Sequence, residues 1–178
     1  MQSPASNNKQ MNRISLDENL TAYQCPDTEG IFLPVQSYVK WLSKQPERLP
    51  HLAANEESQE ELTQDTAQVR ICPESGQLMQ RFRVGHGFSF YLDRSPSGSI
   101  WLDKGEWDAL KSRNFHDELH LIFTAPWQTK IREQKREKGE ESILKDRLGE
   151  DLYAQLNELK SKLTHHEYRE LALSYLYR

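Results

Sequence analysis

Residues 71–110 read ICPESGQLMQRFRVGHGFSFYLDRSPSGSIWLDKGEWDAL, and their alternation decides the fold. Between Gln77 and Val84, Leu78, Gln80, Phe82 and Val84 share one face of an extended chain, while Arg81 and Arg83 share the other. Phe88 and Phe90 alternate in the same way with Ser89 and Tyr91. The two strands flank Gly85-His86-Gly87, a hairpin turn with glycines where positive backbone angles are needed. A second turn, Ser95-Pro-Ser-Gly98, leads into Ile100-Trp101-Leu102, after which Asp103 is placed to cap a short helix carrying Trp107 and Leu110. This unit spans residues 69–113.

Upstream, residues 46–68 hold two prolines and the acidic cluster Glu56, Glu57, Glu60, Glu61 and Asp65, with scarcely any large apolar side chain. They read as an acidic linker. Before it, residues 14–45 contain the turn Cys25-Pro-Asp-Thr-Glu-Gly30, the triplet Ile31-Phe32-Leu33, and Pro34 at a helix start; Val35, Tyr38, Val39, Trp41 and Leu42 then fall mostly at helical spacings. Residues 1–13 lack periodicity and are rich in Ser, Asn and Gln, so a disordered tail is expected there. Downstream, residues 114–178 form a helical segment of three or four helices. Phe115, Leu119, Ile122 and Phe123 make one stripe, Pro126 starts a new helix, and Leu152, Leu156, Leu159 and Leu163 follow i, i+4, i+7, i+11. From Thr129 to Arg178 eleven Lys or Arg face ten Asp or Glu, which suits a packing unit better than a basic arm.

The chain of 178 residues is long enough for one compact domain with an appended helical piece. A mean hydropathy of −0.85 makes it polar, yet four Trp, seven Tyr and six Phe can anchor a core. The net charge of −4 argues against strong nonspecific nucleic-acid binding and leaves room for a local basic patch. No apolar run approaches a membrane helix, and MQSPASNNKQMNR is too polar for a signal peptide, so a cytoplasmic location is expected. Two cysteines are too few for a disulfide scaffold.

The turns CPDT at Cys25, CPES at Cys72 and SPSG at Ser95 share one shape, a tight Pro-containing turn beside a strand, and each is a remnant of CxxC. On these residues Ile71–Leu110 resembles the short zinc-ribbon family named after the zinc finger of transcription factor IIB, whose pattern is CPxC, a hairpin, then CPxCGGxWLDxGEL. IWLDKGEW, Ile100 to Trp107, is the most specific match. CPDTEGIFLPVQSYVKWL, Cys25 to Leu42, is similar to a second copy of the ribbon's latter half with its trailing helix. Together these stretches cover about a third of the chain.

In that family four thiolates close a tetrahedron around zinc. Here the corresponding positions depart from the pattern: the second cysteine is Thr28 in the first copy and Ser75 in the ribbon proper, Ser95 stands in the last turn, and its partner is Gly98 or deleted. Cys25, Cys72, Ser75 and Ser95 are thus vestigial ligand positions. Hydroxyls are poor zinc ligands, so no metal and no other cofactor is expected. Structural zinc supplies on the order of 10 kcal/mol to small domains. Packing of Trp101, Trp107, Phe82, Phe88 and Phe90 against one another, or against the helices as well, is expected to replace it.

His116-Asp-Glu-Leu-His120 places two histidines at i, i+4, one methylene short of HExxH, without a third ligand at a telling spacing. No phosphate loop, dinucleotide fingerprint or nucleophile elbow occurs, so no enzyme is expected. The expectation is an α+β protein: a degenerate zinc-ribbon-like β-hairpin unit, a partial second copy, and a C-terminal helical segment. Its expected role is that of a small cytoplasmic, bacterial interaction or scaffold protein with a protein partner and no membrane association. The alternative is a nucleic-acid-binding, transcription-related regulator that uses Arg81, Arg83, His86, Tyr91 and Arg94 to hold phosphates and stack a base.

Overall fold

A computed structural model describes residues 1–6, 9–46, 50–52 and 68–177. The chain divides into two compact units, Met1–Ile131 and Arg132–Arg178. In the first, strands β1 (Asn12–Asp17), β2 (Leu20–Gln24) and β3 (Ile31–Leu33) precede helix α1 (Val35–Leu42). Strands β4 (Gln80–Gly85), β5 (Phe88–Arg94) and β6 (Ile100–Leu102) precede α2 (Glu106–Ser112) in the same way. The described residues form one antiparallel sheet in the order β1-β2-β3-β6-β5-β4. That order is two ββ-β-α copies set back to back, joined where Ile31, Phe32 and Leu33 pair with Leu102, Trp101 and Ile100. The protein is α+β.

The β4–β5 turn meets its steric demand with Gly85 at φ +74°, His86 at +52° and Gly87 at +88°. At Gly85 a Cβ would also lie 2.6 Å from Ile131 Cγ1, so both torsion and space call for glycine. Helix α1 follows Pro34, whose φ of −62° suits entry to a helix and whose carbonyl accepts the Tyr38 amide.

Alternation along the strands divides the core between the two faces of the sheet. On one face Leu20, Ala22, Ile31, Leu33, Phe88, Phe90, Leu92, Ile100 and Leu102 pack with Tyr38 and Trp41 of α1, Trp107 and Leu110 of α2, and Phe115, Leu119 and Ile122. On the other, Met11, Cys25, Phe32, Cys72, Met79 and Trp101 form a smaller cluster. Trp101 therefore does not join the other rings, because it lies between Ile100 and Leu102 in sequence and points the opposite way. Phe82 is half-buried and meets Phe123 edge-on at 5.2 Å. Each large side chain removed from water contributes about 1.5–3 kcal/mol.

Several boundaries differ from those expected. The tail expected over residues 1–13 is ordered where it is described: Met11 is 4% and Ser3 3% exposed, Gln2 bridges Gln10, and β1 begins at Asn12. Burial of Met11 against Phe32 and Trp101 supplies the apolar contact that the polar sequence hides. Residues 14–45 are consequently not a partial copy: with residues 1–13 they make a full one. Most of the acidic linker, including Glu56, Glu57, Glu60, Glu61 and Asp65, lies outside the described residues. Its described stretch 50–52 is docked, with the Leu52 amide on the Arg113 carbonyl (3.2 Å) and His51 stacked on Phe115 at 3.9 Å. Asp103 does not cap α2; Gly105, at φ +83°, occupies that position, and the Asp103 amide instead donates to Glu106.

After Asn114 come α3 (Leu119–Ile122), α4 (Ala125–Leu148), α5 (Glu150–Thr164) and α6 (Arg169–Leu176). Phe115, Leu119, Ile122 and Ile131 are buried in the first unit, so the helical segment expected over 114–178 is divided at Ile131. Trp127 and Gln128 donate to the carbonyls of Val84 (2.9 Å) and Arg83 (2.8 Å), covering that stretch of edge strand β4. In the second unit none of the described residues is buried. Among the described residues no helix is long and apolar enough to cross a membrane.

Candidate functional site: the knuckle turns and the arginine face

Two Ser/Cys-Pro turns close the strands of each copy: Ser3–Ser6 with Cys25–Thr28, and Cys72–Ser75 with Ser95–Gly98. They share one hydrogen-bond pattern. The first amide of each turn donates onward, Ser3 to the Lys9 carbonyl (2.7 Å), Cys25 to Gly30, Cys72 to Gln77 and Ser95 to Ser99 (2.8 Å each). The first carbonyl accepts in return from Glu29, Gly76 and Gly98, all at 2.9 Å, and these three residues have φ of +56°, +66° and +99°. The returning residue is the fourth after Cys25 and Cys72 but the third after Ser95. Gly98 is therefore the glycine that closes this turn, which is one residue shorter than those at Cys25 and Cys72.

Direct contacts tie the two turns of each copy together. In the first, Ser6 Oγ lies 3.3 Å from Cys25 Sγ, and Lys9 Nζ donates to Asp27 at 2.7 Å. In the second, Ser99 Oγ donates to Glu74 at 2.7 Å and accepts the Val35 amide at 3.1 Å, while the hydroxyls of Ser95 and Ser97 are 2.9 Å apart. Burial opposes ionisation of Cys25, but hydrogen bonds from Ser3, Ser6 and Thr28 outweigh it and bring the thiol from its ordinary 9.0 down to about 6. These side chains do not fit zinc. One thiolate with three neutral hydroxyls, or Cys72 beside an exposed Ser75, is not a tetrahedral set. Among the described residues no three His, Cys, Asp or Glu cluster as metal ligands do.

In the second copy Arg70 is 2% exposed and lies 5.2 Å above the Trp101 ring. It pairs with Asp103 and, at 3.5 Å, with Asp93; Asp103 also accepts Trp101 Nε1–H at 2.8 Å.

The nucleic-acid reading named five residues, and the structure brings three of them together. Arg83 pairs across the hairpin with Tyr91, and the guanidinium groups of Arg81 and Arg83 lie 4.8 and 5.8 Å from that one ring, all three side chains half-buried. Arg94 is turned to the opposite face, 5.3 Å over Phe123. His86 sits among His51, Phe115 and Trp127, where burial first and then the charge of Lys130 push its pKa below 6.5. No family model, curated protein or solved structure matches the chain.

Two features escaped the sequence reading. The turn Ser3-Pro4-Ala5-Ser6 contains no cysteine to draw attention to it, although it precedes the first strand of its copy as Cys72–Ser75 precedes β4. Arg70 looked like any surface arginine, and nothing in its spacing marks it as buried. His116 lies in the turn before α3, outside the helix that carries His120, so the helical spacing of an HExxH-like pair is not formed.

Proposed function

We propose that this chain is a non-catalytic interaction protein, acting in the cytoplasm, whose scaffold is a duplicated zinc-ribbon-like sheet held by hydrogen bonds and packed rings where a ribbon of the family uses a metal. The observation that carries the reading is the contact of Ser6 Oγ with Cys25 Sγ, backed by Lys9–Asp27 in the same copy and Glu74–Ser99 in the other. The first joins two turns that zinc bridges in a ribbon of the family, and the other two each join a turn to the segment that follows its partner turn. Hydroxyls at these positions donate hydrogen bonds to Cys25 and Glu74 and are poor ligands for zinc, and the missing fourth position of the second copy removes a ligand outright. The test is elemental analysis of protein purified without chelator, with thermal unfolding followed with and without EDTA. No stoichiometric metal and an unchanged midpoint are expected; one tightly held zinc per chain, or unfolding by chelator, overturns the reading.

A second reading, a nucleic-acid-binding regulator, is favoured by Arg81 and Arg83 sharing the Tyr91 ring. Arg70 to Arg113 holds seven basic and five acidic residues, a weak excess that keeps this reading second. Phosphate neutralisation would give binding that falls steeply with salt and is lost in Arg81→Glu with Arg83→Glu. Binding insensitive to both removes it.

A further inference from the structure

The second unit presents a physical problem that its own residues do not solve. Helix α5 carries Leu152, Leu156 and Leu159 at 46%, 44% and 37% exposure, with Leu163 partly covered. Their 4-3-4 spacing is the apolar seam of a coiled coil. Among the described residues from Arg132 to Tyr177 none is buried, and Leu171, Tyr175 and Leu176 of α6 are exposed as well. A helix of about 15 residues is marginal in water on its own, because each turn must offset the entropy of ordering with little beyond local hydrogen bonds. This stretch is helical over three elements, so a surface that covers the leucines is not supplied by the described residues of the second unit itself.

Charge selects that surface. Residues 132–178 hold ten Lys or Arg and ten Asp or Glu, so the unit meets a copy of itself without net repulsion. Within α5 the charges are polarised: Glu150 and Asp151 stand in the first turn, Lys160 and Lys162 near the end. Two copies laid antiparallel place the acidic start of each helix beside the basic end of the other. A parallel pair would set acid against acid and lysine against lysine. Lys162 already bonds Glu158 at 2.6 Å and Glu150 lies 3.0 Å from Lys145, but both contacts are solvent-exposed and weak enough to be shared with a second helix.

We infer that the occupant of the α5 seam is a second copy of this chain, paired antiparallel through Leu152, Leu156, Leu159 and Leu163 about a two-fold axis, in which the same patch serves both partners. This rests on the reading of the protein as an interaction scaffold and names the partner of its helical arm.

Sedimentation equilibrium of the full chain at about 1–100 µM tests it, and twice the chain mass is expected. Leu156→Glu with Leu159→Glu is expected to weaken the dimer by more than about a hundredfold, since four buried leucines are lost from one interface. Tryptophan fluorescence should stay unchanged, because all four Trp lie in Met1–Ile131. Lys160→Glu with Lys162→Glu is expected to weaken the dimer, and adding Glu150→Lys with Asp151→Lys to restore it in part. A chain that stays monomeric at 100 µM, or a dimer indifferent to the leucine pair, overturns the inference; a dimer indifferent to the lysine pair overturns its antiparallel sense. None of these outcomes touches the metal content, so failure of the dimer and failure of the metal-free scaffold are read in separate measurements.

Discussion

Arg70 holds a full positive charge in a position almost closed to water, between Asp93 and Asp103 and over the Trp101 ring. Truncating one member of such a group leaves the others buried without compensation. Arg70→Ala is expected to lower the free energy of unfolding by about 3–5 kcal/mol in urea titration; a loss under about 1 kcal/mol would show that water reaches the two carboxylates. The titrating side chains give a second prediction, with its sign set by proton linkage. Cys25 titrates near 6 in the fold against 9.0 ordinarily, so its contribution is complete above pH 9 and is lost as pH falls through 6. Burial holds His86 and His116 below 6.5, so the unfolded chain takes up protons that the folded one refuses, and stability again falls below pH 6.5. The thermal midpoint should therefore drop steadily from pH 9 to pH 5, and Cys25→Ser should flatten the part between 9 and 6 while leaving the rest. A midpoint that rises on acidification contradicts both assignments.

Among the elements, the β4–β5 hairpin was legible because two glycines bracket its turn and its apolar residues alternate without interruption. The matching β1–β2 hairpin was not. Its tip turns on Asn19 at φ +63°, with no glycine to announce it, and Asp17 interrupts the pairing with a shift in register. Helix α1 was readable from Pro34 and its apolar spacing, whereas the opposite aim of Trp101 depends on which face the helices cover and is settled only by packing across the sheet. In α4, Gly139 lies mid-helix with nothing within 4 Å of an added Cβ. Gly139→Ala should stabilise that helix by roughly 0.5–1 kcal/mol, seen as greater far-ultraviolet ellipticity and a higher midpoint. No gain would show that the helix is already fully formed without it.

At the scale of the molecule, the candidate site was half legible. Cys25, Cys72, Ser75 and Ser95 mark three of the turns, but the fourth, at Ser3, became visible only through backbone hydrogen bonds that repeat those of its counterpart. If the turn geometry of the first copy is that of a ribbon with its thiols removed, then Ser3→Cys, Ser6→Cys and Thr28→Cys together, joining the native Cys25, should create one tight zinc site per chain by elemental analysis and raise the midpoint in a chelator-sensitive manner. Failure of the triple variant to bind zinc would mean that the four positions are not arranged tetrahedrally.

The three residue pairs at β3 and β6 join the halves of the sheet, and all six residues are buried. Neither half can peel away there without uncovering the middle of the other. Their backbone N–H groups should accordingly be among the last to trade hydrogen for deuterium, opening only when the entire sheet melts as one body.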